Sequence, residues 1–237
     1  GEGKGMAADL TNIENSAREI SKFANNNKIV VEKSTLPIRT AEKLKEILEE
    51  SNKKISFQVL SNPEFLAEGT AIKDLFNSDR VLVGGDQTDE GQKAINALVD
   101  IYKNWIPEEK ILRSNVWSAE LSKLASNAML AQRISSINSL SALCAKTGAD
   151  ILEVSKAVGA DSRIGKSFLQ PSVGYGGSCF QKDILNLVYL SKINGLTEVA
   201  EYWHQVVKIN NYQRKRFVNL ILEKFENNIS NKTISLL

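Results

Sequence analysis

The spacing of apolar residues changes once along this chain, near residue 115, and that change restricts the folds open to it. Before it, Leu10, Ile13, Ala17, Ile20 and Phe23 recur at three-to-four spacing within residues 7–26, as on one face of a helix. Lys28–Lys33 then reads as a short strand, and residues 40–51 as a helix with Thr40 as N-cap and Glu42 in its first turn. Strands over 55–60 and 80–85, a helix over 88–105 and a short strand at 110–112 complete this part. Strands alternating with helices of that length predict βαβ units and a mostly parallel sheet. Beyond residue 115 the spacing is helical alone, over 116–147, 151–158, 178–193 and 197–228, with a loop rich in Gly, Ser and Pro at 161–177. Lys232–Leu237 reads as the start of another strand.

Composition narrows the function. The 237 residues suffice for one large domain or two ordinary ones without a disulfide staple. A 42% hydrophobic and 24% charged content argues against a disordered chain or a rod. Thirty basic and twenty-eight acidic side chains, interspersed, leave +2 and no basic footprint for nucleic acid. No run approaches the roughly 20 apolar residues of a membrane helix, and the first residues lack a signal-peptide core. A soluble, cytoplasmic protein acting on small molecules is expected. Two distant cysteines, Cys144 and Cys179, build neither a disulfide framework nor a zinc site, so no metal is expected. The single histidine, His204, lies in a helical run and leaves little room for a Ser-His or Cys-His hydrolase. Gly1–Gly5 is not G-x-G-x-x-G, and no strand precedes it.

The sharpest local feature is Gly174-Tyr175-Gly176-Gly177-Ser178-Cys179-Phe180-Gln181-Lys182-Asp183. Ser178 with Gln181 forms a capping box, which sets Cys179 at the first helical position. There unpaired N–H groups and the helix dipole are expected to favour a thiolate. Asp183, four residues on, shares its helix face. Cys144, mid-helix among Leu140, Ala142 and Leu143, reads as core. Glu120, Lys123 and Asn127 stack on one face of the long helix; alone, that spacing reads as a solvated charged face, while Asn127 with Gln132 and Arg133 keeps a polar, substrate-facing stripe open. Ser61–Thr70 and Ser34–Pro37 each follow a predicted strand, where open α/β sheets bind ligands. Glu64 and Glu68 in the first of these loops could serve as acid-base groups.

Glu32–Pro37, Ser61–Thr70, Glu120–Ala128 and Gly174–Asp183, four blocks in order, resemble the UDP-glucose 6-dehydrogenases of the UDP-glucose/GDP-mannose dehydrogenase family across essentially the whole chain. The resemblance implies a partial Rossmann-like parallel-sheet domain (1–115), then an all-helical central, dimerisation domain (116–228) entered by a long connecting helix and carrying the catalytic cysteine. It makes 229–237 the first strand of a UDP-binding domain, and the chain a fragment lacking the G-x-G-x-x-G turn. The activity it implies is NAD-dependent oxidation of UDP-glucose to UDP-glucuronate through a thiohemiacetal and a thioester on Cys179. Lys123, Asp183, Asn127, Glu64 and Thr35 would assist. Glu64, Phe65, Leu66, Ala67, Glu68, Lys123, Asn127, Arg163, Phe168, Leu169, Gln170, Tyr175 and Gly176 would bind substrate. Ser34, Thr35, Leu36, Glu68, Cys179 and Lys182 would line NAD. Arg163 would reach a neighbouring subunit in a homo-oligomer built on the central helices. Gln170-Pro171 departs from the family's usual lysine-alanine or asparagine-alanine. A dehydrogenase of a UDP-N-acetylhexosamine or of GDP-mannose, and a non-catalytic helical dimerisation module, are the alternatives.

Overall fold

A computed structural model describes residues 6–51, 55–67, 69–177 and 179–235. The chain divides into two compact units, residues 1–126 and 127–237. The division falls inside one helix, a few turns beyond the change of spacing at 115.

Unit 1 is built on strands β1 (Lys28–Glu32), β2 (Phe57–Ser61), β3 (Val81–Gly85) and β4 (Ile111–Asn115), in that order across one sheet. β1 pairs parallel with β2 over five residues, Lys28 opposite Phe57, and β3 pairs parallel with β4, Val81 opposite Ile111. The junction of β2 and β3 is antiparallel and rests on Ser61 opposite Gly84. The sheet is therefore mostly parallel, as expected, with one antiparallel junction. Its reversal accords with the connection, whose one helix among the described residues, α3 (Ala71–Phe76), has six residues and none buried, too little to anchor a parallel crossover. Its apolar residues, Ile72, Leu75 and Phe76, span little more than one turn and stay exposed, too short a run for spacing to announce a helix.

Alternation along β2 sorts its side chains to two cores. Phe57 and Val59 join Ala17 of α1 (Thr11–Phe23) and Ala41, Leu44 and Leu48 of α2 (Thr40–Ser51) on one face. Leu60 joins Val81, Val83, Ile95, Val99 and Ile111 on the other, beneath α4 (Asp89–Tyr102). Helix α5 (Val116–Thr147) leaves β4 directly, and its first turns lie so close to β3 that a Cβ on Gly84 would sit 2.5 Å from Ala119 Cβ. Glycine there lets α5 bring its early side chains down to the sheet.

Unit 2 is helical: the rest of α5, then α6 (Ile151–Gly159), α7 (Cys179–Ile193) and α8 (Thr197–Lys224). A loop without regular structure, held by side chains of α5 and α8, joins α6 to α7. No strand forms over the described residues 229–235, where the start of one is expected; a strand needs a partner for its backbone groups. Leu236 and Leu237 lie outside the described residues, as do the opening residues 1–5.

Candidate functional site

Residues after β1 and β2 emerge from the carboxyl ends of two parallel strands, so both segments start at one end of the sheet. Ser34 is exposed, and Thr35 and Leu36 are half-buried. Asn62 ties the two segments together. It is 1% exposed; its Nδ2 donates to the Leu82 carbonyl (2.7 Å), while its Oδ1 accepts from Lys33 Nζ (3.1 Å) and Tyr102 Oη (2.7 Å). A buried amide satisfied on both sides leaves the chain on either side of it little freedom.

Glu64, two residues on, bends back so that its Oε2 accepts the Leu66 N–H at 2.7 Å, and its Oε1 lies 3.3 Å from Lys123 Nζ. Lys123 is buried, 6% exposed, so this pairing is what makes its ammonium tolerable there. The Phe65 ring takes the Arg80 guanidinium 3.9 Å from its centroid and Lys123 Nζ at 5.4 Å. Leu66 is half-buried and Ala67 exposed; Glu68 lies outside the described residues.

One turn before Lys123, Glu120 is 2% exposed, and its two carboxylate oxygens accept the N–H groups of Arg39 (2.7 Å) and Ala41 (2.8 Å) at the start of α2. Thr40, expected to cap that helix, does not: its hydroxyl donates to the Pro37 carbonyl at 2.6 Å, and the cap arrives instead from α5. Burial raises the Glu120 carboxyl, and the Ala41, Arg39 and Thr40 N–H groups pull it back. Glu32, at the end of β1, is 5% exposed with no hydrogen-bond partner for either oxygen among the described residues. Burial, then the nearby Glu120 charge, pushes it up to about 8.

In unit 2, Asn127 Nδ2 donates to Asp183 Oδ2 at 2.6 Å, with the two side chains 8% and 2% exposed. Asp183 lies one turn into α7, whose first residue is Cys179, exposed at the helix start. Ser178, the expected N-cap, lies outside the described residues. Lys182 is exposed. Cys144 is buried, 7% exposed, as its mid-helix position predicts.

The loop leading to Cys179 is held by amides. Asn210 of α8 grips the Tyr175 backbone twice, Oδ1 accepting its N–H (2.9 Å) and Nδ2 donating to its carbonyl (3.1 Å). Gln213 Nε2 donates to the Ser172 carbonyl (2.8 Å), and Asn138 Oδ1 accepts the Ser172 N–H (2.8 Å). Gly174 has φ +125°, and a Cβ there would meet Asn210 Oδ1 at 2.5 Å, so only glycine fits. The Tyr175 ring is buried edge-on to Phe180, and burial pushes its hydroxyl up to about 12. Leu169 is buried, Phe168 adopts φ +61°, and Gln170 and Gly176 are exposed. Arg163 is exposed and forks onto Asp161, at 2.6 Å from NH2.

Glu120, Lys123 and Asn127 are thus buried and partnered along α5, which overturns the solvated-face reading of their spacing. Sequence reasoning gave no role to Arg80, Asn62, Asn210 or Gln213, whose partners lie far along the chain where no local spacing marks them. Among the described residues, no group of acidic, His or Cys side chains could hold a metal, and no helix is long and apolar enough to cross a membrane.

Two family models match the chain: the NAD binding domain of the UDP-glucose/GDP-mannose dehydrogenase family over residues 2–106, and its central domain over 117–212. UDP-glucose 6-dehydrogenase 1 of Glycine max is 64% identical over all 237 residues, and UDP-glucose 6-dehydrogenase 4 of Arabidopsis thaliana 62%. The chain covers 49% of each, so it spans about half the length of the curated relatives it matches. Among solved structures, a UDP-glucose dehydrogenase from Pyrobaculum islandicum superposes with a TM-score of 0.85 at 34% identity, over 93% of this chain and 50% of that one. A UDP-D-ManNAc dehydrogenase from Pyrococcus horikoshii gives 0.77 at 25%, over 92% and 50%.

Proposed function

The chain belongs to the UDP-glucose/GDP-mannose dehydrogenase family, and from that premise we propose that it serves the NAD-dependent oxidation of UDP-glucose to UDP-glucuronate. UDP-glucose is preferred to other nucleotide sugars because the curated relatives at 60–64% identity are UDP-glucose 6-dehydrogenases. The single observation that carries the chemistry is the buried Asn127–Asp183 hydrogen bond, one turn into a helix that starts at an exposed cysteine.

NAD, when bound, accepts the hydride of each oxidation. Its fit to this chain is local: Ser34, Thr35 and Leu36, exposed or half-buried at the carboxyl end of parallel strand β1, would line it, with Lys182 from α7. Every other step belongs to the chain's own side chains. At the aldehyde stage Cys179 Sγ adds to the carbonyl carbon, forming a C–S bond while the oxygen gains a proton. Loss of a hydride from that carbon and of the hydroxyl proton leaves a thioester. Water then adds, the C–S bond breaks, and carboxylate and thiol are released. A covalent intermediate thus divides a four-electron oxidation into separate steps.

Lys123 would stabilise the alkoxide, a cation already fixed by burial and by Glu64. Asp183 would exchange protons at the same oxygen, with Asn127 fixing the carboxylate that does so. Glu64, with Thr35, would take the proton of the hydrolytic water. Phe65–Glu68 and Phe168–Gly176 would bind the nucleotide sugar, the latter segment preformed by Asn210 and Gln213. A homo-oligomer through the central helices accords with Met129 and Leu143 of α5, 60% and 59% exposed, and Arg163 would extend toward the neighbour.

Replacing Cys179 by serine in the full-length protein tests the mechanism. Turnover of UDP-glucose should fall about a thousandfold or more; a rate equal to the parent's would show that no thioester forms on this residue. Parallel assays with UDP-N-acetylhexosamines and GDP-mannose test the choice of sugar.

A further inference from the structure

The start of α2 has no cap of its own. Its first-turn N–H groups are orphans by geometry, its only local hydroxyl, on Thr40, is turned back to Pro37, and residue 39 stands in the left-handed region at φ +75°, a conformation costly for arginine. What meets these N–H groups is a carboxylate from 79 and 81 residues away in sequence, through contacts of 2.8 and 2.7 Å to Ala41 and Arg39. Charge-assisted hydrogen bonds of that length are about twice as strong as neutral ones. The Arg39 guanidinium, over the Trp117 ring at 5.1 Å, adds a second tie to the same helix.

The environment also settles which of two neighbouring acids keeps its charge. Glu120 has backbone donors on both oxygens, whereas Glu32 has none among the described residues, so the negative charge belongs on Glu120 and the proton on Glu32. Glu120 is therefore a fixed anion one turn from Lys123 on α5, clasping the segment that begins at Ser34 and Thr35.

We propose that Glu120 is a positioning residue: by holding the Arg39 and Ala41 N–H groups it fixes the segment carrying Ser34, Thr35 and Leu36 relative to the turn of α5 that carries Lys123. The proposal rests on the preceding reading for its functional consequence, because Ser34–Leu36 are the residues assigned there to NAD. It does not depend on that reading for its structural content.

The test compares the full-length parent with Glu120→Gln, which keeps the shape but sets an NH2 against one of the two N–H donors. Hydrogen exchange of residues 34–43 should quicken at least tenfold, and KM for NAD should rise about tenfold. A residue that only stabilised the fold would lower the amount of active protein, and so the maximal rate, while leaving KM and the exchange of this segment at parent values; either unchanged quantity overturns the proposal. If the parent itself does not turn over UDP-glucose with NAD, the functional reading fails, and exchange alone decides the positioning role. Should Glu120→Gln not fold, Glu120→Asp, which keeps the charge but withdraws it by one methylene, is judged by the same two measurements.

Discussion

Around residues 39–41 and 62–66 of unit 1 the holding groups are ionisable: the Glu120 carboxylate on the first, the Lys33 ammonium on Asn62 and Tyr102, and the Lys123–Glu64 pair. Around residues 172–175 of unit 2 they are amides, from Asn138, Asn210 and Gln213. Both sets immobilise a loop, yet they respond to different variables. A charge-assisted bond is the stronger, but it survives only while its proton stays where the fold needs it. An amide bond is weaker and indifferent to pH. The only titratable group that the amide-held loop buries, Tyr175, is pushed up to about 12 and stays neutral across the ordinary range. The loop assigned to the cofactor is thus the one that acidity or alkalinity can loosen, and the loop before the thiol is not.

The largest effect that could break this contrast comes from Glu32. Its carboxyl is raised from 4.5 to about 8 in the folded protein, so between those values the folded state binds a proton that the unfolded state has lost. Stability is then fullest below about pH 4.5 and declines as pH rises towards 8, by on the order of 5 kcal/mol in all. Unfolding of unit 1, followed by Trp105 and Trp117 fluorescence in a Trp203→Phe background, should shift to lower denaturant as pH goes from 5 to 8.5. Glu32→Gln should displace the curve but remove that slope. An equal slope in the variant would mean that the pH sensitivity of unit 1 comes from a group other than Glu32.

The residues of this contrast were unevenly visible in the sequence. Helix and strand positions were legible because apolar spacing reports burial directly: α5 lies over 116–147 as its spacing predicts, and β1, β3 and the start of α2 fall within a residue of their expected places. α3 was not, having no buried face, nor was the antiparallel junction of the sheet, which depends on how a connection is anchored. Candidate site residues such as Cys179, Lys123 and Glu64 were marked by motif, but what each touches was not. Lys123 and Glu64 lie 59 positions apart, and spacing along one helix made Lys123 look solvated when it is buried. Asn210 illustrates the other failure. A polar residue on a helix is ordinarily a surface residue, and nothing around position 210 records that a backbone 35 residues earlier turns its N–H and C=O towards it.

Asn210 supplies the next largest effect. Leucine there would fill similar volume while stripping two buried backbone groups of their partners, at about 1–3 kcal/mol for each group left unpaired. Asn210→Leu should therefore lower stability by about 2–6 kcal/mol, by the same amount at pH 5 and pH 8.5, and quicken hydrogen exchange over residues 172–176. A loss that grew with pH would join the two loops in one charge-dependent scheme and end the distinction between them.

The smallest effect separates a charge that holds a loop from one that merely ends a helix. Asp150 in unit 2 caps α6 locally, accepting the Leu152 N–H at 2.6 Å and the Glu153 N–H at 3.3 Å. Like Glu120 it is an acid on orphan N–H groups, but it is sequence-adjacent to the helix it caps and ties down no distant segment. Asp150→Ala should cost about 1 kcal/mol, the usual value of such a cap, and leave exchange over residues 172–176 at the parent rate. If that exchange quickened as well, the local cap would be reaching the loop through α6, whose Ser155 hydroxyl donates to the Leu169 carbonyl at 2.5 Å. Unit 2 would then also depend on a charge to hold its loop, at a position that the amides alone do not control.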